Sequence, residues 1–184
     1  MENNKANGAN TRLYLVGLMA SGKTKIGKAL AQAMPNWLFF DTDAYIESRQ
    51  KMSIAEIVAH KGWPAFRQLE TEALAVSQNF KNCIIATGGG LPCYNDNMQT
   101  IQNQGFSVFF NPPLTTIVAR LAESDNTASR PLLAGLTEEK LFDFLAEMYK
   151  QRQPIYSLAD LEIDSSLNQQ RVVERLARWL TQKA

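Results

Sequence analysis

The sequence predicts an α/β fold in which helices cover both faces of a parallel sheet. Short apolar runs alternate along the chain with longer segments whose apolar residues recur at helical spacing. The runs are apolar throughout, which is typical of parallel strands buried on both faces. With 184 residues and 45% hydrophobic content, the chain can form one core and is short for two, so we expect a single domain over 1–184.

The first strand and helix are predicted close to the beginning of the chain. Residues 13–16 form an apolar run, and apolar residues then recur at helical spacing over 23–34 until Pro35 ends the helix. A second strand is predicted at 37–40. It runs into Asp41-Thr42-Asp43, whose side chains can cap the next helix.

Helical segments occupy the chain between the second and third strands. Residues 43–60 predict one or two helices, and Ser53 can cap the second of them. Gly62 interrupts the pattern, while Pro64 suits the first turn of a helix that continues through Val76. These helices therefore form the connection from the second strand to the third.

The third strand, at 83–87, runs directly into Gly88-Gly89-Gly90. Three consecutive glycines lose much conformational entropy on folding, so the run needs a reason such as close approach of the backbone to another group. A weak helix at 95–104, a strand at 106–110 and a helix at 114–122 continue the alternation.

The last third of the chain contains a polar segment without periodicity. Residues 123–129 are polar, and we expect a mobile lid over about 123–135. A long helix at 137–156, a short strand at 161–164 and a helix at 168–181 complete the fold. Right-handed crossovers place every strand-to-helix loop at one edge of the sheet, where ligands of such sheets bind.

Composition narrows the functional classes. Lys and Arg total 19 against 18 Asp and Glu, so a net charge of +1 gives no overall field that would attract nucleic acid or an anionic membrane. Residues 1–10 are polar and lack the apolar run of a secretory signal, and we expect a disordered leader there. Two cysteines are too few for a disulfide framework. We expect a cytoplasmic monomer that binds neither nucleic acid nor membranes.

One motif identifies a phosphate-binding loop. Gly17-Leu18-Met19-Ala20-Ser21-Gly22-Lys23-Thr24 matches G-x-x-x-x-G-K-[ST] between a predicted strand and a predicted helix. The glycines let backbone N–H groups surround a phosphate, Lys23 reaches the β and γ phosphates, and the Thr24 hydroxyl suits Mg²⁺. A glycine-rich turn that binds nothing is the alternative. The motif alone leaves kinases, ATPases and GTPase switches open.

Two carboxylates follow the second strand. Asp41 and Asp43 are expected near the phosphate loop if the sheet order keeps their strand close to the first one. One of them could hold a water of the Mg²⁺ shell, and the other could orient or deprotonate an acceptor hydroxyl. A helix cap and a surface acid are the equally good alternative for an isolated Asp-x-Asp.

Three arginines lie beside helix breaks or loops at the same predicted edge, namely Arg67, Arg130 and Arg152. Arginine binds carboxylates and phosphates through two parallel hydrogen bonds. Each arginine taken alone fits a solvated surface role better. The triple glycine favours a site, because it lets backbone amides approach a small ligand closely.

Together these motifs resemble the shikimate kinase family, a member of the nucleoside-monophosphate-kinase-like P-loop group. The similarity covers 13–164 and follows the family order. Its elements are the phosphate loop, Asp41-Thr42-Asp43, Phe66-Arg67-x-x-Glu70, Thr87-Gly88-Gly89-Gly90, Arg130-Pro131-Leu132 and Tyr149-x-x-Arg152-x-Pro154-x-Tyr156. The resemblance implies a P-loop three-layer sandwich with a five-stranded parallel sheet in the order 2-3-1-4-5. It also implies transfer of the γ-phosphoryl group of MgATP to the 3-hydroxyl of shikimate, in aromatic amino acid biosynthesis.

The resemblance also implies a role for each matched residue. Lys23, Asp43 and Arg130 would be catalytic, and Glu70 would orient Arg67. The metal Mg²⁺ would be held by Thr24 and, through water, by Asp41. The acceptor would be bound by Asp43, Arg67, Gly88, Gly89, Gly90, Arg130 and Arg152. The nucleotide would be bound by Gly17, Met19, Ala20, Ser21, Gly22, Lys23, Thr24 and Lys25, with Arg120 against the adenine.

Three segments depart from the family pattern. Trp63-Pro64 replaces the acidic residue that usually follows Gly62, and Leu91-Pro92-Cys93-Tyr94 stands where many members have a small residue and valine. The segment after Asp164 lacks a Pro-containing adenine loop, so it assigns no adenine contacts. Trp37, Trp63 and Trp179 are interpreted as core or near-core aromatics. Two other functions remain open: a kinase of another polyol acid such as gluconate, and a regulatory module that binds nucleotide without catalysis.

Overall fold

A computed structural model describes residues 11–123 and 138–183 of the chain. The expected leader at 1–10, nearly all of the expected lid at about 123–135, and Arg130 lie outside these described residues. Within the described ranges, no helix combines the length and the apolar character needed to cross a membrane.

The described residues form a sheet of five parallel strands in the order β2-β3-β1-β4-β5. This order confirms the one that the family resemblance implies. The strands are β1 (Arg12–Val16), β2 (Leu38–Asp41), β3 (Cys83–Ala86), β4 (Phe106–Phe110) and β5 (Leu161–Ile163). Because all five are parallel, their carboxyl ends share one edge of the sheet.

Helices pack on both faces of this sheet. In the described ranges they are α1 (Lys23–Ala33), α2 (Thr42–Gln50), α3 (Ile54–Ser77), α4 (Asn97–Gln104), α5 (Leu114–Ala122), α6 (Glu138–Tyr156) and α7 (Gln169–Thr181), with a short 3-10 helix at Leu91–Cys93. Side chains of β1 alternate between two separate cores. Leu13 and Leu15 pack with α1 and α7, whereas Tyr14 and Val16 pack with side chains of α3 to α6. The fold is therefore a three-layer sandwich.

Local chemistry sets several helix ends. Asp41 caps α2 by accepting hydrogen bonds from two backbone N–H groups, and Ser53 forms a capping box with Glu56 at the start of α3. Gly62 has φ 78° and ψ 167°, so it kinks α3 as the sequence predicts. The helix expected from residue 95 begins instead at Asn97, because the two preceding residues have left-handed φ values.

A third, smaller core supports the segment that connects β2 with β3. Ile46 of α2 packs with Ile57, Phe66 and Ala73 of α3, and all four side chains are buried. This core holds α2 against α3 beside the carboxyl edge of the sheet. It therefore fixes the position of Arg67, which follows Phe66 directly.

Candidate active site

The phosphate-loop motif forms the connection between β1 and α1. Gly17 and Gly22 have φ values of 139° and 101°, in the region that side chains disfavour. A Cβ atom on Gly17 would also lie 2.6 Å from the backbone oxygen of Phe110. The loop thus leads into the amino end of α1, where free N–H groups and the helix dipole favour an anion.

Lys23 is buried inside this loop, with 7% of its surface exposed. Its Nζ donates hydrogen bonds to the backbone oxygens of Gly17 at 2.9 Å and Leu18 at 2.7 Å, and to Ser21 Oγ at 3.3 Å. These acceptors hold the ammonium group against the loop. A phosphate bound to the loop would therefore meet a cation already in place.

Thr24 and Asp41 form a hydrogen-bonded pair of oxygen-bearing side chains beside the loop. Thr24 Oγ1 donates a hydrogen bond to Asp41 Oδ2 at 2.7 Å, while Asp41 Oδ1 accepts from the backbone N–H groups of Asp43 and Ala44. Hydroxyl and carboxylate oxygens suit Mg²⁺. Among the described residues, no cluster of three His, Cys, Asp or Glu could hold a metal. A metal at this pair would need phosphate and water oxygens to complete its shell.

The pairing of Thr24 with Asp41 does not require neighbouring strands. β3 lies between β1 and β2 in the sheet, so the strand of Asp41 is one position removed from the strand before the phosphate loop. The two side chains nevertheless meet, because Asp41 is the last residue of β2 and Thr24 lies in the first turn of α1. Location at the same edge of the sheet is therefore sufficient to bring Thr24 and Asp41 into contact.

Asp43 has a buried carboxyl oxygen that forms no hydrogen bond with the described residues. Its Oδ1 has no hydrogen-bond partner in the part of the chain that the structure describes. Burial, followed by the nearby Asp41 and Glu70 carboxylates, raises the pKa of Asp43 to about 7, although Lys23 acts in the opposite direction. A carboxyl group with a pKa near neutrality suits proton exchange with a hydroxyl group.

Arg67 and Glu70 form an ion pair within α3. Arg67 Nη1 lies 2.5 Å from Glu70 Oε2, and the Glu70 side chain is only 1% exposed. Burial raises the pKa of Glu70 while Arg67 lowers it. The pair fixes one edge of the guanidinium group and leaves its other N–H groups for a ligand.

The triple glycine closes one side of the site. The backbone N–H of Gly88 donates to Thr42 Oγ1 at 2.8 Å, and Tyr156 Oη donates to the backbone oxygen of Gly89 at 2.5 Å. A Cβ atom on Gly88 would collide with Asp43 Oδ1, and one on Gly90 would collide with the Arg67 guanidinium group. A larger residue at either position would therefore displace the Asp43 or the Arg67 side chain.

Most of the predicted site residues line one cavity of about 310 Å³ at the carboxyl edge of the sheet. This volume is in the range of sites for small ligands. The predicted residues in its wall are Met19, Ala20, Lys23, Thr24, Asp41, Asp43, Arg67, Gly88, Gly89, Gly90 and Arg152, together with Glu70. The phosphate loop and the two arginines thus face the same space.

Sequence reasoning missed five residues of this wall: Glu47, Ile54, Trp63, Phe66 and Thr87. Helical periodicity could have predicted Glu47, because it lies four residues after Asp43 and therefore on the same face of α2. Trp63 is predicted to be a core or near-core aromatic, and it does pack, half-buried, against the third core; its place in the cavity wall is what the sequence does not predict. Nothing in the local sequence distinguishes it from the other two tryptophans.

Five predicted nucleotide residues do not line this cavity: Gly17, Ser21, Gly22, Lys25 and Arg120. Arg120 of α5 donates hydrogen bonds to the backbone oxygens of Ala20 at 3.1 Å and Ser165 at 2.9 Å. Ser165 Oγ in turn donates to the backbone oxygen of Ser21 at 2.5 Å. Arg120 therefore ties the phosphate loop to the segment after β5. Lys25 is exposed on the first turn of α1.

We expect Asp43→Asn to stabilise the ligand-free protein at alkaline pH. Folding raises the pKa of this carboxyl from 3.8 to about 7, so the folded chain binds a proton that the unfolded chain releases. Stability should therefore fall as pH rises between those values. Thermal unfolding should show Tm raised by several degrees at about pH 8 and little changed at about pH 4.

Asp143→Asn is the matched control, because Asp143 is an exposed acid on α6 and its replacement removes the same charge. It should leave Tm nearly unchanged at both pH values. Equal Tm values for Asp43→Asn and the unmodified protein at about pH 8 would show that the Asp43 carboxylate does not destabilise the fold.

Known proteins share both the sequence pattern and the fold. A family model for shikimate kinase matches residues 19–181. The chain is 37% identical to a shikimate kinase of Parabacteroides distasonis, over 84% of this chain and 87% of that protein. It is 38% identical to a shikimate kinase of Thermosynechococcus vestitus, over 94% of this chain and 90% of that protein.

Solved structures agree with these relatives. A crystal structure of shikimate kinase from Bacteroides thetaiotaomicron superimposes with a TM-score of 0.87 at 34% identity, covering 93% of this chain and 98% of that one. A shikimate kinase from Acinetobacter baumannii in complex with shikimate gives a TM-score of 0.85 at 27% identity, covering 95% and 94%. The chain described here belongs to the shikimate kinase family.

Proposed function

We propose that this protein is a shikimate kinase, which transfers the γ-phosphoryl group of MgATP to the 3-hydroxyl of shikimate and releases shikimate 3-phosphate and ADP. One observation carries the proposal. Arg67, Arg152 and the triple glycine line the same cavity as Lys23 and Asp43. A small anion with hydroxyl groups therefore has two guanidinium groups for its carboxylate and a carboxyl group for its hydroxyl, opposite a phosphate loop.

On the nucleotide side, the loop and Lys23 would bind the phosphates of ATP. Thr24 and, through water, Asp41 would hold Mg²⁺, which supplies charge neutralisation to the transferring phosphoryl group. Arg120 would lie on the adenine side, where it already joins the loop to the segment after β5. The family's nucleotide is ATP, and this assignment extends it to the present chain.

On the acceptor side, Asp43 would accept the proton of the attacking hydroxyl. Its pKa of about 7 allows the carboxylate form to be populated near neutrality and to take up a proton readily. Arg67 and Arg152 would bind the shikimate carboxylate, with Glu70 fixing the edge of Arg67. Arg130 is assigned to transition-state stabilisation on the sequence pattern alone.

The test of this function is substrate profiling with coupled detection of ADP release. Shikimate should support turnover, whereas gluconate and other polyol acids should not. Absence of shikimate-dependent turnover at millimolar substrate would remove the proposal. ATP binding without turnover of any acid would favour the regulatory module.

We further propose that the chain acts as one cytoplasmic domain and as a monomer. Light scattering at assay concentration would test the monomeric state.

Arg152→Ala should raise KM for shikimate at least about tenfold while nucleotide affinity stays close to that of the unmodified protein, because a lost guanidinium–carboxylate pair removes acceptor binding. Steady-state kinetics and ATP titration measure the two effects. Arg175→Ala is the matched control, since Arg175 is an exposed arginine of α7 outside the cavity. An equal loss of affinity for shikimate and ATP would contradict the assignment.

Lys23→Ala should lower kcat by about a hundred- to thousandfold, because a preorganised cation near the transferring phosphoryl group acts mainly in the transition state. Single-turnover measurements with shikimate would separate transfer from nucleotide binding. The exposed Lys183→Ala provides the comparison for loss of one positive charge. An unchanged kcat in Lys23→Ala would exclude this role.

A further inference from the structure

Aromatic rings surround the guanidinium group of Arg67. The distances from its Cζ to the ring centroids are 4.2 Å for Tyr94, 4.9 Å for Trp63 and 5.4 Å for Phe66. All three lie within the range of cation–π interactions. Tyr94 is the nearest ring, although 43% of its surface is exposed. Tyr94 thus combines a partly exposed ring with a close contact to the Arg67 guanidinium group.

The segment that carries Tyr94 contacts Arg67 twice. It begins at Gly90, where a Cβ atom would collide with the Arg67 guanidinium group. The chain then turns through the 3-10 helix at Leu91–Cys93, in which the Cys93 N–H donates to the backbone oxygen of Gly90 at 2.9 Å. Tyr94 follows in an extended conformation and places its ring over the same guanidinium group. Gly90 and Tyr94 together therefore enclose the cation.

A further anchor fastens this segment to α3. Asn95 Nδ2 donates hydrogen bonds to the backbone oxygen of Arg67 at 3.3 Å and to Thr71 Oγ1 at 3.0 Å. Asn95 and Asp96 have φ values of 52° and 53°, a left-handed conformation that is unfavourable for residues other than glycine and is best tolerated by Asn and Asp. The turn thus accepts a strained backbone and is attached at the helical turn that carries Arg67.

Tyr94 borders a different cavity from the candidate active site. A second cavity of about 610 Å³ borders the first, and Trp63, Arg67 and Arg152 line both. Tyr94 lines only the second cavity, whereas Asp43 and the triple glycine line only the first. An effect of Tyr94 on a ligand in the first cavity must therefore pass through the residues of the shared wall.

We propose that Tyr94 is a positioning residue that fixes the plane of the Arg67 guanidinium group for the carboxylate of the acceptor. The inference rests on the proposed function of this site. Glu70 holds one edge of the guanidinium group, and the Tyr94 ring contacts it with Cζ 4.2 Å from the ring centroid, so the group cannot rotate freely about its long side chain. Two parallel hydrogen bonds to a carboxylate depend on that plane, and a fixed plane reduces the entropy lost on binding.

The test compares three substitutions at one position. Tyr94→Ala should raise KM for shikimate by about five- to tenfold, in line with a cation–π contact at a partly exposed site, with kcat and KM for ATP within about twofold. Tyr94→Phe keeps the ring face and should behave like the unmodified protein. Tyr94→Leu keeps apolar volume without a ring and should resemble Tyr94→Ala. It also provides a second variant if Tyr94→Ala folds poorly. Phe142→Ala removes another partly exposed aromatic residue, outside both cavities, as the control.

A double-mutant cycle tests whether the effect passes through Arg67. Lysine has no planar group to orient, so in an Arg67→Lys background Tyr94→Ala should change kcat/KM for shikimate by less than about twofold. The initial slope of the rate against shikimate concentration gives kcat/KM without the need to saturate the enzyme. The same loss in both backgrounds, a loss in Tyr94→Phe equal to that in Tyr94→Ala, or a parallel rise in KM for ATP would overturn the inference.

The two proposals fail in different ways. Turnover of shikimate by the unmodified protein tests the function and does not involve Tyr94. If profiling identifies another carboxylic acid as the acceptor, the same variants and the same cycle are measured with that acid. An unchanged KM for that acid in Tyr94→Ala would then reject the positioning role, whichever acid is used.

Discussion

The close approach of two glycine loops at the ends of β1 and β3 is the constraint on which the site depends. These strands are neighbours in the sheet, and beyond their last paired residues Thr87 still bonds to the backbone oxygen of Leu15 through both its N–H and its hydroxyl. A Cβ atom on Gly89 would lie 3.3 Å from the backbone nitrogen of Met19. The phosphate loop and the triple glycine are therefore held together by the backbone, and both border one cavity.

The same geometry brings several carboxyl groups together, which suits proton transfer but lowers the stability of the fold. Asp43 is placed close to two other carboxylates, with one buried oxygen unpaired among the described residues, and its pKa rises as a result. Lys23 acts to lower the pKa of Asp43, and Arg67 acts to lower the pKa of Glu70, so these cations offset part of the negative charge. Such a carboxyl group destabilises the folded chain near neutral pH, yet it is suited to take a proton from a hydroxyl group.

Much of this arrangement can be predicted from the sequence, because the phosphate loop, the capping carboxylates and the triple glycine each need particular residue types at fixed positions relative to a strand end. Apolar periodicity does not encode strand order, so the position of β2 beyond β3 came only from the family resemblance. Side-chain contacts between residues far apart in the sequence could not be predicted from it either. The bonds of Arg120 to Ala20 and Ser165 join positions 100 and 45 residues apart, and no local pattern reports them.

The departures from the family pattern gain a physical meaning once the chain is folded. Trp63 belongs to the pair that replaces the usual acidic residue after Gly62, and Tyr94 ends the unusual segment after the triple glycine. They lie 31 positions apart, yet both rings contact the Arg67 guanidinium group. An acidic side chain neutralises a cation through one edge, whereas an aromatic ring stabilises it through a face. With Glu70 already on one edge, the two ring contacts add support and leave the remaining N–H groups available for a carboxylate. Both departures from the family pattern therefore place an aromatic ring against the same arginine, Arg67.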